Sequence, residues 1–538
     1  MAATETALEA DFIVVGAGSA GCAVAARLSE DSATRVILIE AGGEDNHRWI
    51  HIPLGFGKTF ADPRVNWCYE TEPDASGRRV FWPRGKVLGG SSSINGMVYI
   101  RGQAEDFDHW RQLGNAGWSF EDVLPYFRRA EHQTRGTDAF HATGGPLCVS
   151  DVANKHSICE AFIDSAVALG FGRNDDFNGA TQEGVGWHQT TTRAGRRCST
   201  AVGYLRPAME RANLRVLTHA LTEKILFDGR RAVGVAFRQD GQQKTARAAR
   251  EVILCGGAIN SPQLLMLSGV GPADHLKALS LPVVHALPGV GQCLQDHYSA
   301  PIKLKCTLPL TVNDVMLSPM RKLEAGIRYY LFHDGPLAMG TSPAALFART
   351  RPELASPDIK CSISPFSAER PQDGLHRWSG FTLIAYQLRP ESRGEIKLKT
   401  ARPEDPPAVT PNYLASEIDQ QTIVAGLQLC RQILAQPPLA RFVAEEFQPG
   451  PAIASEAALL AYARERGGTV FHPTSTCRMG NDPLAVVDAE LAVHGLQGLR
   501  VADASIMPTV ISGNTNAAAI MIGEKAADLV RKEARLAA

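Results

Sequence analysis

A histidine can take up a proton near neutral pH, whereas an asparagine amide can only donate and accept hydrogen bonds. Both residue types stand near the C-terminal end of this chain, in Phe471-His472-Pro473 and in Ser512-Gly513-Asn514-Thr515-Asn516. Far upstream, Asp11-Phe-Ile-Val-Val runs directly into Gly16-Ala-Gly18-Ser-Ala-Gly21. That glycine spacing behind an apolar run is the pattern of a dinucleotide-binding turn. A bound redox dinucleotide needs a proton acceptor and a polar partner to oxidise something, and His472 and Asn514 are the candidates.

Each glycine of the upstream motif has its own task. Gly16 permits the tight turn, Gly18 lets the backbone approach a pyrophosphate, and Gly21 lets the following helix pack on the strand. The helix N-terminus offers free N–H groups and a partial positive charge to the phosphates. Glu40 closes the next apolar run, Val36-Ile-Leu-Ile39, where a carboxylate accepts hydrogen bonds from a ribose diol and repels a 2′-phosphate. The motif does not by itself separate FAD from NAD. No second glycine triad and no Cys-x-x-Cys occurs, which argues against a disulfide-reductase arrangement.

These residues need elements to hold them. Phe12–Val15 reads as a buried parallel strand, Ser19 to about Ser29 as a helix and Val36–Ile39 as a second strand, a βαβ unit. The texture returns at Glu251-Val-Ile-Leu-Cys255-Gly256-Gly257, strand then turn. Ser261-Pro262 then suits an N-cap and first helical turn, with the helix running through Leu264–Leu267 to a cap at Gly269. Leu499–Ala502 reads as another strand, and a last helix is expected from about Asn516 to Glu533. Between about 300 and 460 proline becomes frequent, and alternating stretches such as Gly394-Glu-Ile-Lys-Leu-Lys399 predict antiparallel strands with one wet face.

At 538 residues the chain exceeds the size at which one hydrophobic core stops growing, so two domains are expected. Lys+Arg 55 against Asp+Glu 56 leaves a net charge of −1, and no basic field exists to attract nucleic acid. The eleven cysteines show no metal-binding or dithiol spacing, so no metal site is read and buried free thiols are expected, Cys477 among them. The first residues lack a basic stretch followed by an apolar core, and no apolar run approaches the roughly 20 residues that span a bilayer. A soluble cytoplasmic protein without a transmembrane segment is the expectation.

Several ordered stretches resemble the glucose–methanol–choline (GMC) flavin oxidoreductases. They are Gly85-Lys-Val-Leu-Gly-Gly-Ser-Ser-Ser-Ile-Asn95-Gly-Met-Val-Tyr99-Ile-Arg-Gly102, Gly257-Ala-Ile-Asn-Ser-Pro-Gln-Leu-Leu-Met-Leu-Ser268-Gly-Val-Gly271, His472-Pro-Thr-Ser-Thr-Cys-Arg-Met-Gly480, and Asp503-Ala-Ser-Ile-Met-Pro508 followed by Gly513 to Asn516. The resemblance covers nearly the whole chain and is weakest from about 300 to 385. It implies an α/β fold: a Rossmann-like, doubly wound FAD-binding domain with an inserted α+β substrate domain on an antiparallel sheet. The boundaries expected are 1–155, 195–300 and 465–538 for the FAD domain, and 156–194 and 301–464 for the substrate domain.

The resemblance also implies where FAD lies. Gly16, Gly18, Ser19, Ala20 and Gly21 with Glu40 and Ala41 are expected at its ADP end. Gly89, Gly90 and Ser91 approach the phosphates and flavin edge, and Asn95, Gly96, Met97 and Val98 line the isoalloxazine ring. Leu221, Cys255, Gly256, Asp503 and Ala504 complete the cofactor set, and Thr515 and Asn516 open the last helix toward the flavin. Some family members bind FAD covalently through a histidine in the first signature. Ile94 stands there, so non-covalent FAD is expected.

The implied reaction is oxidation of a primary alcohol to an aldehyde, with His472 as base, Asn514 as hydrogen-bonding partner and hydride passing to flavin N5. Electrons would pass on to O2 or to a quinone or dye. His297, in Leu294-Gln-Asp-His297, receives no chemical role. Choline and related amino alcohols stay open as substrates, although Phe471 occupies a place where choline-specific members commonly have tyrosine. A hydroxynitrile lyase, which shares the fold and keeps FAD, is the alternative outside redox chemistry.

Overall fold

The computed structural model describes residues 8–370 and 372–536. Its first sheet has seven strands. Leu8–Val15 lies at the centre, flanked in parallel by Val36–Ile39 and by the long strand Gln242–Leu254. Leu214–Leu217 and Leu499–Val501 extend the parallel part on either side. The first half of Gln242–Leu254 also pairs antiparallel with Arg231–Gln239, which pairs with Ala220–Asp228. Strands from residues 8, 214, 242 and 499 thus meet in one sheet, so the domain is assembled from distant pieces of chain.

Phe12, Ile13, Val14 and Val15 are all buried, as a parallel strand covered on both faces requires. The helices Ser19–Leu28 and Asn516–Leu536 pack against each other. One carboxylate ties this layer together. Glu524, fully buried, accepts from the Arg27 guanidinium at 2.9 Å, from Arg129 at 2.7 Å and from the Tyr204 hydroxyl at 2.7 Å.

The second sheet is antiparallel and also has seven strands. Tyr298–Cys306, Gly380–Gln387, Ile359–Ser364, Ala344–Ala348 and Gly184–Trp187 follow one another across it. Val443–Gln448 and Gly468–Thr469 pair with Tyr298–Cys306. Helices Glu417–Leu434 and Ser157–Ala168 cover one face, where Ile302, Ile363, Leu383, Phe162 and Leu427 form the core. The alternation is real, but the polar face does not meet bulk water. Lys360, Ser362 and Ser364 alternate with Ile359, Cys361 and Ile363, and all six are buried because the polar face lines the cavity described below. The hairpin Glu395–Lys397/Ala408–Thr410, placed by sequence in the inserted domain, packs its Ile396 and Val409 into the first core instead.

One helix starts earlier than its sequence suggests. It spans Gly257–Leu267 with Pro262 inside and Ser268 at its C-cap. Ser261 does not cap it from outside; its hydroxyl donates to Asp503 at 2.6 Å and accepts from the Gly256 N–H at 3.0 Å. A positive φ of 78° at Gly257 makes the early entry possible. All eleven cysteines are unpaired, and Cys477 is fully buried. Among the described residues, no helix is long and apolar enough to cross a membrane.

Removing the Glu524 carboxylate leaves two guanidinium groups and a phenol facing a void. Glu524→Ala should lower stability by about 3 kcal/mol, the low end for a broken buried ion pair because both arginines keep some contact with solvent. The denaturation midpoint of the purified protein measures this.

Candidate active site

The end of the central strand is shaped by backbone contact. A Cβ on Gly16 would lie 2.5 Å from the Cys255 carbonyl oxygen, and one on Gly21 would lie 1.9 Å from the Gly16 carbonyl oxygen. A Cβ on Gly90 would lie 2.7 Å from the Gly18 Cα, and the Gly89 N–H donates to the Ala17 carbonyl at 2.7 Å. Gly18 itself faces open space, its nearest neighbour being 4.0 Å from a Cβ position. No side chain caps the Ser19–Leu28 helix at Gly18, so its first N–H groups are free for an anion.

That open space belongs to a cavity of about 1470 Å³ that reaches from Gly16 and Glu40 to His472 and Asn514. Of the expected cofactor residues, Gly18, Ser19, Ala20, Ala41, Gly90, Ser91, Asn95, Gly96, Met97, Val98, Leu221, Cys255, Gly256, Asp503, Ala504, Thr515 and Asn516 all line it. Gly21 and Gly89 do not. Gly21 is pressed against Gly16, and Gly89, at φ +86°, turns toward Ser93 and Ala201.

Several of these residues are already held by the protein. Asn95 accepts from the Met97 N–H at 3.0 Å and from buried Arg197 at 2.8 Å, which fixes Met97 at φ +63°. The Asp503 carboxylate accepts from the Gly257 N–H, the Ser505 N–H and the Ser261 hydroxyl. The Asn516 amide oxygen accepts from the Ser19 hydroxyl at 2.7 Å, joining the first helix to the last. The buried Glu40 carboxylate accepts from the Ala17 and Gly42 N–H groups, both at 2.9 Å. Burial raises its pKa from 4.5 to about 7.

At the other end of the cavity the imidazole of His472 is bonded on both nitrogens. His297 Nε2 faces the Leu388 carbonyl at 3.0 Å, so it carries the proton and leaves Nδ1 bare. That bare Nδ1 lies 2.9 Å from His472 Nδ1, which must then be the donor. His472 Nε2 is left with a lone pair and meets the Asn514 amide nitrogen at 3.0 Å. The Asn514 oxygen in turn accepts from Lys360 Nζ at 3.1 Å. One chain of donors and acceptors thus sets the tautomer of both histidines and the orientation of the amide.

The backbone around His472 is equally constrained. Its N–H donates to Asp296 at 2.7 Å. Phe471 is held at φ +71°, its N–H donating to the Thr469 hydroxyl at 2.6 Å and its carbonyl accepting from Arg84 at 2.7 Å. Burial, then the neighbouring His297, Lys360 and Arg84, hold His472 well below the ordinary histidine value. Burial pulls His297 down to about 4. Both rings are neutral at physiological pH.

The resemblance singled out His472 and Asn514, and they meet. His297 and Lys360 were missed as members of the same cluster. The Gln-Asp-His run hinted at His297, but nothing in the order of residues aims it at a partner 175 positions away. Lys360 lies where the sequence is least family-like.

The GMC oxidoreductase family pattern matches residues 10–299 with its N-terminal part and 390–523 with its C-terminal part. The chain belongs to this family: it is an FAD-dependent oxidoreductase acting on CH–OH groups. Among its relatives, mitochondrial choline dehydrogenase from Mus musculus is 44% identical, with 97% of this chain and 89% of that protein covered. Alcohol dehydrogenase [acceptor] from Pseudomonas putida is 42% identical, with 98% and 96% covered. The crystal structure of pyridoxine 4-oxidase from Mesorbium loti superposes with a TM-score of 0.88 at 30% identity, covering 97% of this chain and 99% of that one.

The residues present fit FAD. The space over Gly18, the free helix N-terminus and the buried Glu40 carboxylate suit pyrophosphate and ribose, and the cavity exceeds the 300–1,000 Å³ typical of small-ligand sites. Ile94, on the cavity wall, has no atom able to carry a covalent flavin link.

Glu40 gives a test with a definite sign. In the FAD-free protein the folded chain keeps a proton that the unfolded chain releases, so Glu40 makes stability fall as pH rises from 4.5 to about 7. Glu40→Gln should flatten that slope in the thermal midpoint. It should also weaken FAD binding about ten- to hundredfold in a flavin fluorescence titration, as loss of charge-assisted hydrogen bonds implies.

Proposed function

We propose that this chain oxidises a primary alcohol to its aldehyde, with His472 as the base and Asn514 as the group that orients the hydroxyl. One observation carries this reading. A neutral imidazole presents a bare Nε2 toward an amide N–H in the cavity that also contains the dinucleotide-binding turn. FAD bound in that cavity supplies the acceptor for the carbinol hydride.

A substrate hydroxyl placed between the two side chains would donate its proton to His472 Nε2 and accept from the Asn514 amide. His297 keeps the competing Nδ1 protonated, so that only Nε2 can act as base. Asp296 and Arg84 hold the backbone on either side of the ring. Phe60 packs edge-on against Phe471 at 4.9 Å, and Val98, Phe366 and Ile384 add apolar wall for the body of an alcohol.

An amino-alcohol dehydrogenase of the choline type is the second reading, favoured by the 44% identity to mitochondrial choline dehydrogenase. The name of the Pseudomonas putida relative supports an electron acceptor such as a quinone or dye, with O2 as the other option. The net charge of −1 gives no support to a nucleic-acid partner. Eleven free thiols suit a reducing compartment such as the cytoplasm.

Anaerobic stopped flow tests the proposal. A primary alcohol should bleach the bound flavin, which a lyase would not show. His472→Ala should slow the bleaching by about a hundredfold or more while FAD stays bound; an unchanged rate would remove His472 from the reaction. Because His472 is held well below 6.5, kcat/KM for an uncharged alcohol should show no loss from protonation of the base as pH falls through 6.5.

A further inference from the structure

Two lysines project into the cavity from the polar face of the antiparallel sheet, and their surroundings differ. Lys303 donates to the Glu369 carboxylate at 3.1 Å, and Glu369 also pairs with Arg466 at 3.0 Å. That end of the sheet is charge-compensated. Lys360 lies about four residues, roughly 13 Å, further along the strands. There it faces Phe347 and Tyr386 across the ladder, with Nζ 4.9 Å and 5.3 Å from their ring centres.

Lys360 is only 2% exposed, and among the described residues no carboxylate forms an ion pair with it. Its polar contact is the Asn514 oxygen. An ammonium has three donors, so this contact leaves others directed at the two rings and the cavity.

We propose that Lys360 is the specificity-determining residue of this site: its ammonium, set against Asn514, selects uncharged primary alcohols and rejects those carrying a cation close to the carbinol. The inference rests on the reading of His472 and Asn514 as the hydroxyl-binding pair. A hydroxyl between them brings the neighbouring carbons of the substrate to Lys360. Two unit charges about 6 Å apart at an effective dielectric constant near 20 repel enough for about a hundredfold penalty. Identity to choline dehydrogenases is a property of the whole chain, whereas this penalty arises at one position.

The same arrangement makes the selection depend on pH. Burial pulls Lys360 from 10.5 to about 7. The other groups around it are His472, His297 and His188, all held below the ordinary histidine value, and Tyr386, whose phenol burial pushes up. Between pH 6.5 and 9 Lys360 is therefore the member of this cluster that changes charge, and repulsion of a cation should fade as pH rises.

The test compares choline with its uncharged analogue, in which carbon replaces the quaternary nitrogen, using the FAD-loaded enzyme and a dye acceptor. Wild type should favour the uncharged alcohol at least tenfold in kcat/KM at pH 6.5, and the ratio should shrink toward pH 9. Lys360→Met should lower the ratio at least tenfold and remove its pH dependence. Lys360→Arg keeps the charge at every pH, so its ratio should stay high and flat. A wild-type enzyme that prefers choline at pH 6.5, or a wild-type ratio that does not change with pH, overturns the proposal even if the Met variant fails to fold. Failure of both alcohols to bleach the flavin would strike the alcohol-oxidation reading itself.

Discussion

Three backbone segments from distant parts of the chain touch at one point, and the shape of the cavity depends on that contact. The turn at Gly16 rests on the carbonyl of Cys255, and Gly90 rests on the Cα of Gly18. No side chain fits at these approaches. The parallel ladder brings Val15 beside Leu254 and so aligns the first two segments, while the bond from Gly89 to Ala17 brings in the third. Buried apolar strands supply the driving force for this assembly, and the absence of a Cβ at Gly16 and Gly90 gives it its shape.

The second organising feature is a line of neutral or weakly basic groups without a carboxylate. His297, His472, Asn514 and Lys360 are bonded in series, ending on a main-chain carbonyl at one end and an ammonium at the other. Asp296 bonds the backbone N–H of His472 and not its ring; a carboxylate bonded to the imidazole itself would favour the imidazolium and remove the lone pair from Nε2. Burial with amide and imidazole partners does the opposite. The polar stripe of the antiparallel sheet supplies the last member, so the inserted domain contributes a side chain to this line as well as to the walls.

Much of this was legible in the order of residues, for local reasons. The glycine triad, the strand before it and Glu40 after it lie within one βαβ unit, so their spacing alone fixes their relation. His472 and Asn514 were legible only through family likeness, since a single histidine has no periodicity to mark it. The start of the Gly257–Leu267 helix was misjudged because Ser261-Pro262 looks like a cap, while the serine hydroxyl is engaged by Asp503 across the sheet. His297 and Lys360 were invisible as site members. Their partners come from other strands and loops, and a strand with one buried polar face reads like a strand with one solvated face.

The bond between Ser19 and Asn516 joins two walls of the cavity across 497 positions of chain. During synthesis at about 5–20 residues per second, roughly 25 to 100 seconds separate the emergence of these two residues. Through that interval the apolar strand Phe12–Val15 exists without the last strand and helix of its domain. The cavity wall is therefore incomplete until nearly all of the chain has left the ribosome, because Thr515 and Asn516 belong to it.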